Sequence, residues 1–101
     1  MLTYVSFMKW TDQGVATVED SPARAEAARS AIESMGGKMT TLLYSPGEGD
    51  FDIIAITEFP NEVSAGVMGL VTRKLGNATI NSVRVFTEGE FDGILSNLPQ
   101  G

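Results

Sequence analysis

The run Gly47-Glu48-Gly49-Asp50-Phe51-Asp52 puts three carboxylates within five residues. Acids so close together can bind a cation, or one of them can serve as a general base. If a strand begins at Phe51, Asp50 and Asp52 lie at i, i+2 and share one strand side. The same run also reads as a solvated hairpin tip, with Asp52 satisfying backbone N–H groups of the loop, because turns favour Gly and Asp for conformational reasons. The Gly-x-Gly spacing is no dinucleotide fingerprint, since a strand follows it and not a helix.

A second group is Trp10-Thr11-Asp12-Gln13-Gly14. Trp10 offers a flat apolar wall, and Asp12 or Gln13 a polar mouth. The alternative is a core-edge tryptophan followed by a turn. Tyr4 and Tyr44 are the two phenols of the chain. Each can donate to a ligand carbonyl, or can be a half-buried tyrosine with its hydroxyl at the edge. Arg84 lies inside an apolar run, Ser82-Val83-Arg84-Val85-Phe86, where a charge needs a partner. It can hold an anion bidentately or form an edge or interface ion pair, with Glu58 or Asp52 as the expected acid. Met8, Met35 and Met68 read as gap-fillers of a core.

What the chain lacks narrows the chemistry. Histidine and cysteine are absent. That removes the usual neutral-pH acid–base group, a thiol nucleophile, a disulfide framework and thiolate or imidazole metal sites. No metal and no cofactor is expected. Seven basic residues against 13 acidic ones give a net charge of −6, which disfavours nucleic acid and anionic membrane surfaces. The opening MLTYVSFMKW has no basic n-region, and Lys9 interrupts its apolar run early. A cytoplasmic protein is therefore expected.

The elements that must position these groups fit one domain over residues 1–101. Leu2–Met8 reads as a strand with no charge on either side. Ser21–Gly37 reads as a helix, with Ser21 as N-cap, Pro22 at the first turn, and a stripe of Ala25, Ala28, Ile32 and Met35. Lys38–Ser45 and Phe51–Phe59 read as strands about the GEGD turn, the second apolar on both sides and hence central. A second helix follows Pro60-Asn61, its apolar face assigned to Val63, Val67, Leu70, Val71 and Leu75, with Gly76 as its stop. Gly66 and Gly69 within it suggest close approach of another backbone, or simple tolerance. A strand near Ala78–Glu88 and a short amphipathic tail, about 89–98, complete the chain, the tail carrying Phe91, Ile94, Leu95 and Leu98 on one side.

The order βαββαβ predicts a ferredoxin-like α+β sandwich, a four-stranded antiparallel sheet with two helices on one face. The strands are apolar on both sides, so the uncovered sheet face calls for a second copy packed against it.

The segments TYVSFMKWTDQG, the Ser-Pro helix ending MGGK, GDFDIIAITEFP and SVRVFTEGEF occur in one order over nearly the whole chain. In this the sequence resembles the GYD-domain proteins, small bacterial proteins of the dimeric α+β barrel class. The family signature, Gly-Tyr-Asp at the start of the third strand, corresponds here to Gly49, Phe51 and Asp52 within Gly49-Asp50-Phe51-Asp52, so the phenol hydroxyl is missing. The resemblance implies the fold and self-association, as a homodimer or a higher oligomer of dimers, and no particular reaction. The expected pocket lies between sheet and helices, lined by Tyr4, Phe7, Trp10, Ile54, Ile56 and Arg84, with Asp12 and Tyr44 as further candidates. Three functions compete. The first is small-molecule binding or assembly without turnover. The second is cofactor-independent oxygenase or isomerase chemistry on an activated organic substrate. The third is a purely structural oligomer, which predicts no cavity.

Overall fold

Two apolar strands form the middle of the sheet. In the computed structural model, which describes residues 1–100, β1 (Leu2–Trp10) and β3 (Ile53–Phe59) pair antiparallel, flanked by β2 (Lys38–Tyr44) and β4 (Ala78–Val85) in the order β2-β3-β1-β4. Two long helices, α2 (Ser21–Ser34) and α3 (Glu62–Leu75), lie over one face. This is the expected four-stranded α+β arrangement. Two shorter helices, α1 (Asp12–Ala16) and α4 (Glu88–Ser96), follow β1 and β4.

Strand alternation separates the side chains into two sets. Tyr4, Ser6 and Met8 of β1, Ala55, Thr57 and Phe59 of β3, and Ile80 and Ser82 of β4 lie beneath the helices. Val5 and Phe7, Ile54 and Ile56, and Val83 and Val85 have the opposite parity and face the other way. A register shift between Met39 and Thr41 turns Leu42 to the helix side and Leu43 to the open side.

The core is thin. Ile32, Phe59 and Met68 form its buried cluster, with Tyr4, Ala28, Ala31, Met35, Met39 and Ala65 packed around them. The α2 stripe is the one that its spacing predicts. Its N-terminus differs: Ser21 already has helical φ and ψ, Asp20 holds the cap position, and the Ser21 hydroxyl donates back to the Val18 carbonyl at 2.6 Å. Asn61 caps α3 by accepting from the Ser64 N–H at 2.8 Å. Gly76, at φ 79°, ends the helix in the left-handed region.

The inward side of α3 departs from expectation. Ala65, Met68 and Thr72, at i, i+3, i+7, face the sheet. Val63, Val67, Leu70 and Leu75 are exposed, at 76%, 44%, 65% and 64%. Small side chains let the helix axis come closer to the strands, so the less hydrophobic side is the one that docks. Around Gly66 and Gly69, a methyl group would meet nothing within 4 Å. The close backbone approach suggested by these glycines is absent within the protomer.

The segment after β1, expected as a turn, is a helix knotted to the end of α3. The Thr11 hydroxyl caps α1 by accepting from the Gly14 N–H at 3.1 Å and donates to the Gly76 carbonyl at 2.6 Å. The Thr11 N–H donates to the Asn77 carbonyl at 3.1 Å. The Gln13 amide reaches the Leu75 carbonyl and the Asn77 side chain, both at 3.0 Å.

At the other end, α4 runs away from the body. It packs closely on no other described element, and the molecule extends over 56 × 31 × 19 Å. Its radius of gyration of 15.4 Å exceeds the roughly 13 Å of a compact domain of this length.

Candidate functional site

The two helices over the sheet barely touch one another. Between them an open cleft of about 380 Å³ reaches down to the strands, a volume within the range of small-molecule sites. Ile32 and Ala28 of α2 form one wall, and Ala65, Met68 and Gly69 of α3 the other. Met8, Met39 and Phe59 line the base, and the Tyr4 ring meets Phe59 edge-on at 6.0 Å.

Hydroxyls interrupt this apolar surface, among them those of Ser6, Thr57 and Ser82 on the strands. Ser6 and Ser82, directly opposed in β1 and β4, hydrogen-bond through their side chains at 2.8 Å. Thr57, opposite Tyr4 on β3 and so diagonal to Ser6, is 6% exposed, as is Ser6. In a serine pair one hydroxyl donates to the other, and the acceptor keeps its own proton to offer elsewhere. Glu62 and Arg73 stand at the rim. The arrangement suits an uncharged organic molecule with an apolar body and one carbonyl or hydroxyl.

Of the expected lining residues, Tyr4 is in this cleft. Phe7, Ile54 and Ile56 are on the opposite face of the sheet, because their parity is opposite to that of Ser6 and Thr57. Trp10 and Tyr44 come together elsewhere, in a shallower depression under the start of α2 with Leu42, Pro22 and Ala25. Asp12 is exposed on α1. Ser6, Thr57 and Ser82 were not singled out by sequence reasoning. Small hydroxyl residues in the middle of three apolar strands are the available signal, but their convergence depends on strand register.

The acidic run forms a turn, and β3 begins only at Ile53, so Asp50 and Asp52 share no strand side. The Asp52 carboxylate accepts from the Trp10 N–H at 2.9 Å, and its own N–H donates to the Met8 carbonyl at 2.8 Å. It thereby ties the end of β1 to the start of β3. Gly47 and Gly49, at φ 79° and 80°, supply the left-handed residues of the turn. Among the described residues, no three acids stand close enough to share a metal ion. The Phe51 ring leans on Phe7 at 5.1 Å between centroids, which places the signature aromatic beside the open sheet face.

Arg84 pairs with neither Glu58 nor Asp52. Its guanidinium lies 4.3 Å from the centre of the Phe86 ring and 3.7 Å from Glu90, in the first turn of α4. It also donates to the carbonyls of Thr3 and Val85. Glu90 in turn accepts from the Thr87 N–H at 2.9 Å, while the Thr87 hydroxyl accepts from the Glu90 N–H at 3.2 Å, a reciprocal capping box. The Thr87 N–H bond, helped by the Thr87 hydroxyl and by Arg84, holds the Glu90 carboxyl below its ordinary value of 4.5. A lowered carboxyl stabilises the fold above its unfolded value, and that stabilisation is lost as pH falls through the folded value. The start of α4 should therefore stay capped at neutral pH and fray only beneath pH 4.5. Amide exchange at Phe91 and Asp92 checks this. Glu90→Gln, which keeps an acceptor for Thr87, should flatten that pH dependence.

Among the described residues, no helix is long and apolar enough to cross a membrane. A family model described as the GYD domain matches residues 4–95. Neither proteins of curated function nor solved structures match the chain.

Proposed function

This chain belongs to the GYD-domain family, and on that premise we propose that it is a cytoplasmic homo-oligomer whose subunits each retain a small uncharged organic molecule in the cleft between α2, α3 and the sheet. The cleft itself carries the reading: hydrocarbon walls and base interrupted by strand hydroxyls, with a serine proton available to a ligand oxygen. Burial of apolar ligand surface supplies about 25 cal/mol per Å². The hydroxyls select for a molecule with a matching polar atom, since an unpaired buried hydroxyl costs stability. Charged Glu62 and Arg73 are confined to the rim. A lining of hydroxyls and hydrocarbon supports retention without turnover. The open cleft also favours a binding role over a purely structural one.

The test uses 1-aminoanthracene, an uncharged fluorescent aromatic, together with native mass spectrometry of the gently purified protein for a retained small molecule. Gly69 lines the cleft and has space around its Cα, so Gly69→Leu should fold and fill the site. Dye affinity should fall about tenfold or more, as expected for loss of an apolar contact area worth 1.4 kcal/mol. Gly69→Ala should leave the dye bound and raise stability by about 0.5–1 kcal/mol through helix propensity. Unchanged dye binding by Gly69→Leu would remove the cleft as the site.

A further inference from the structure

Two unpartnered helix faces in this chain match each other. On α3, Val63, Val67, Leu70 and Lys74 follow the spacing i, i+4, i+7, i+11, and the three apolar members are exposed. On α4, Phe91, Ile94 and Leu95 follow i, i+3, i+4, and with Leu98 just past the helix end they are exposed at 50%, 39%, 47% and 60%. We propose that α4 of one copy packs antiparallel along the outward face of α3 in a second copy.

Charge sets the direction. The last turn of α3 carries Arg73 and Lys74. Beside the apolar stripe of α4 lie Glu88 and Asp92, and the helix holds no basic residue. Setting Asp92 against Lys74 runs the helices antiparallel, with Leu95 beside Leu70 and the residues that follow the end of α4, Leu98 among them, toward Val67. Antiparallel helices also oppose their dipoles favourably. A parallel arrangement would place the acids against Glu62, at the start of α3.

The partner must be another copy because α4 is fixed at its root. The Arg84–Glu90 pair, the Arg84 contact with Phe86 and the Thr87 capping box hold its start to the end of β4. From there it points away from its own body. A helix of nine residues is marginal without tertiary packing, which for isolated helices becomes dispensable only above roughly 12–15 residues. Leu70 belongs both to the outward stripe and to the cleft lining, so the docked helix extends the outer wall of the cleft. The docking itself does not depend on what the cleft binds.

The chain contains no cysteine, so single engineered thiols report contacts without background. Leu95→Cys is mixed under oxidising conditions with Leu70→Cys, Val63→Cys or Leu75→Cys, and mixed disulfides are resolved by intact mass. All four positions are exposed, which preserves the protomer fold. A disulfide needs Cα atoms within about 7 Å, so the Leu70→Cys mixture should cross-link about tenfold more than the other two. Lys74→Glu should cut that yield about tenfold by setting like charges together, and Asp92→Lys in the other copy should restore it. Equal yields at the three α3 positions, a preference for Val63, or no rescue by Asp92→Lys would overturn the proposal.

Discussion

Gly14→Ala should lower the stability of this protein by about 3 kcal/mol, the sum of overpacking and a weakened hydrogen bond less the gain in helix propensity. A methyl group on Gly14 would sit 1.8 Å from the Asn77 carbonyl oxygen, with the carbonyl carbon at 2.8 Å. Both are backbone atoms, so no side chain can swing aside. That same carbonyl accepts the Thr11 N–H, and Thr11 caps the helix in which Gly14 lies. Relief of the clash therefore separates α1 from the end of α3 and loosens the bonds that Thr11 and Gln13 make there. For a domain of about 100 residues, such a loss lowers Tm by roughly 12–24 °C. The matched control is Gly93→Ala in α4, where an added methyl meets nothing within 4 Å. There the same substitution should stabilise the helix by up to about 1 kcal/mol. Thermal denaturation of the two variants should move in opposite directions. Equal shifts would show that the clash relaxes without cost.

The parts of the fold that were legible in the sequence are those set by local pattern. The stripe on α2 and the glycines ending both long helices follow from spacing and conformational preference within a few residues. The central position of β3 follows from its two apolar sides. The open question was which side meets the helices. Phe7, Ile54 and Ile56 are bulkier and more apolar than Ser6, Ala55 and Thr57, so hydrophobicity alone sends the wrong set beneath the helices. Small residues lie there because α2 and α3 need room, and a cleft remains where they do not fill it. The same preference for bulk misdirects α3, whose sheet-facing Ala65, Met68 and Thr72 are outweighed by the outward valines and leucines. Arg84 could not be matched to Glu90 from pattern alone, because the pair depends on how the chain turns at Thr87. The Gly14–Asn77 contact has no periodic signal, since it joins two segments distant in sequence.

Ile54→Glu should abolish face-to-face pairing of two sheets and so lower the mass of the native protein, while dye binding in the cleft persists. Ile54 lies at the middle of the open face, opposite Phe7 on one neighbouring strand and Leu43 on the other. Around it are Val5, Ile56, Val83 and the Phe51 ring, with Leu43, Val83 and Phe51 exposed at 56%, 44% and 37%. No helix of the described chain covers this surface, which is larger than the scattered apolar exposure normal for a monomer. A carboxylate at its centre would have to be desolvated without a cation beside it if a second sheet packed there. Such a buried unpaired charge costs about 3–5 kcal/mol, enough to weaken association by two to three orders of magnitude. Sedimentation equilibrium reads that change directly. The native protein should also show a Tm that rises with concentration, because association stabilises the folded chain by mass action, and the variant should not. Ser30→Glu, at an exposed position of α2 on the helix side of the sheet, keeps the charge change but should leave the mass unaltered. A native protein that sediments as a protomer at micromolar concentration would remove the face-to-face pairing. An Ile54→Glu variant of lowered mass that still binds 1-aminoanthracene would separate the two faces of the sheet by role, face-to-face association on Val5, Ile54 and Ile56 and ligand retention on Ser6, Thr57 and Ser82. That division explains why a strand such as β1 is apolar on both sides yet carries its serine on only one.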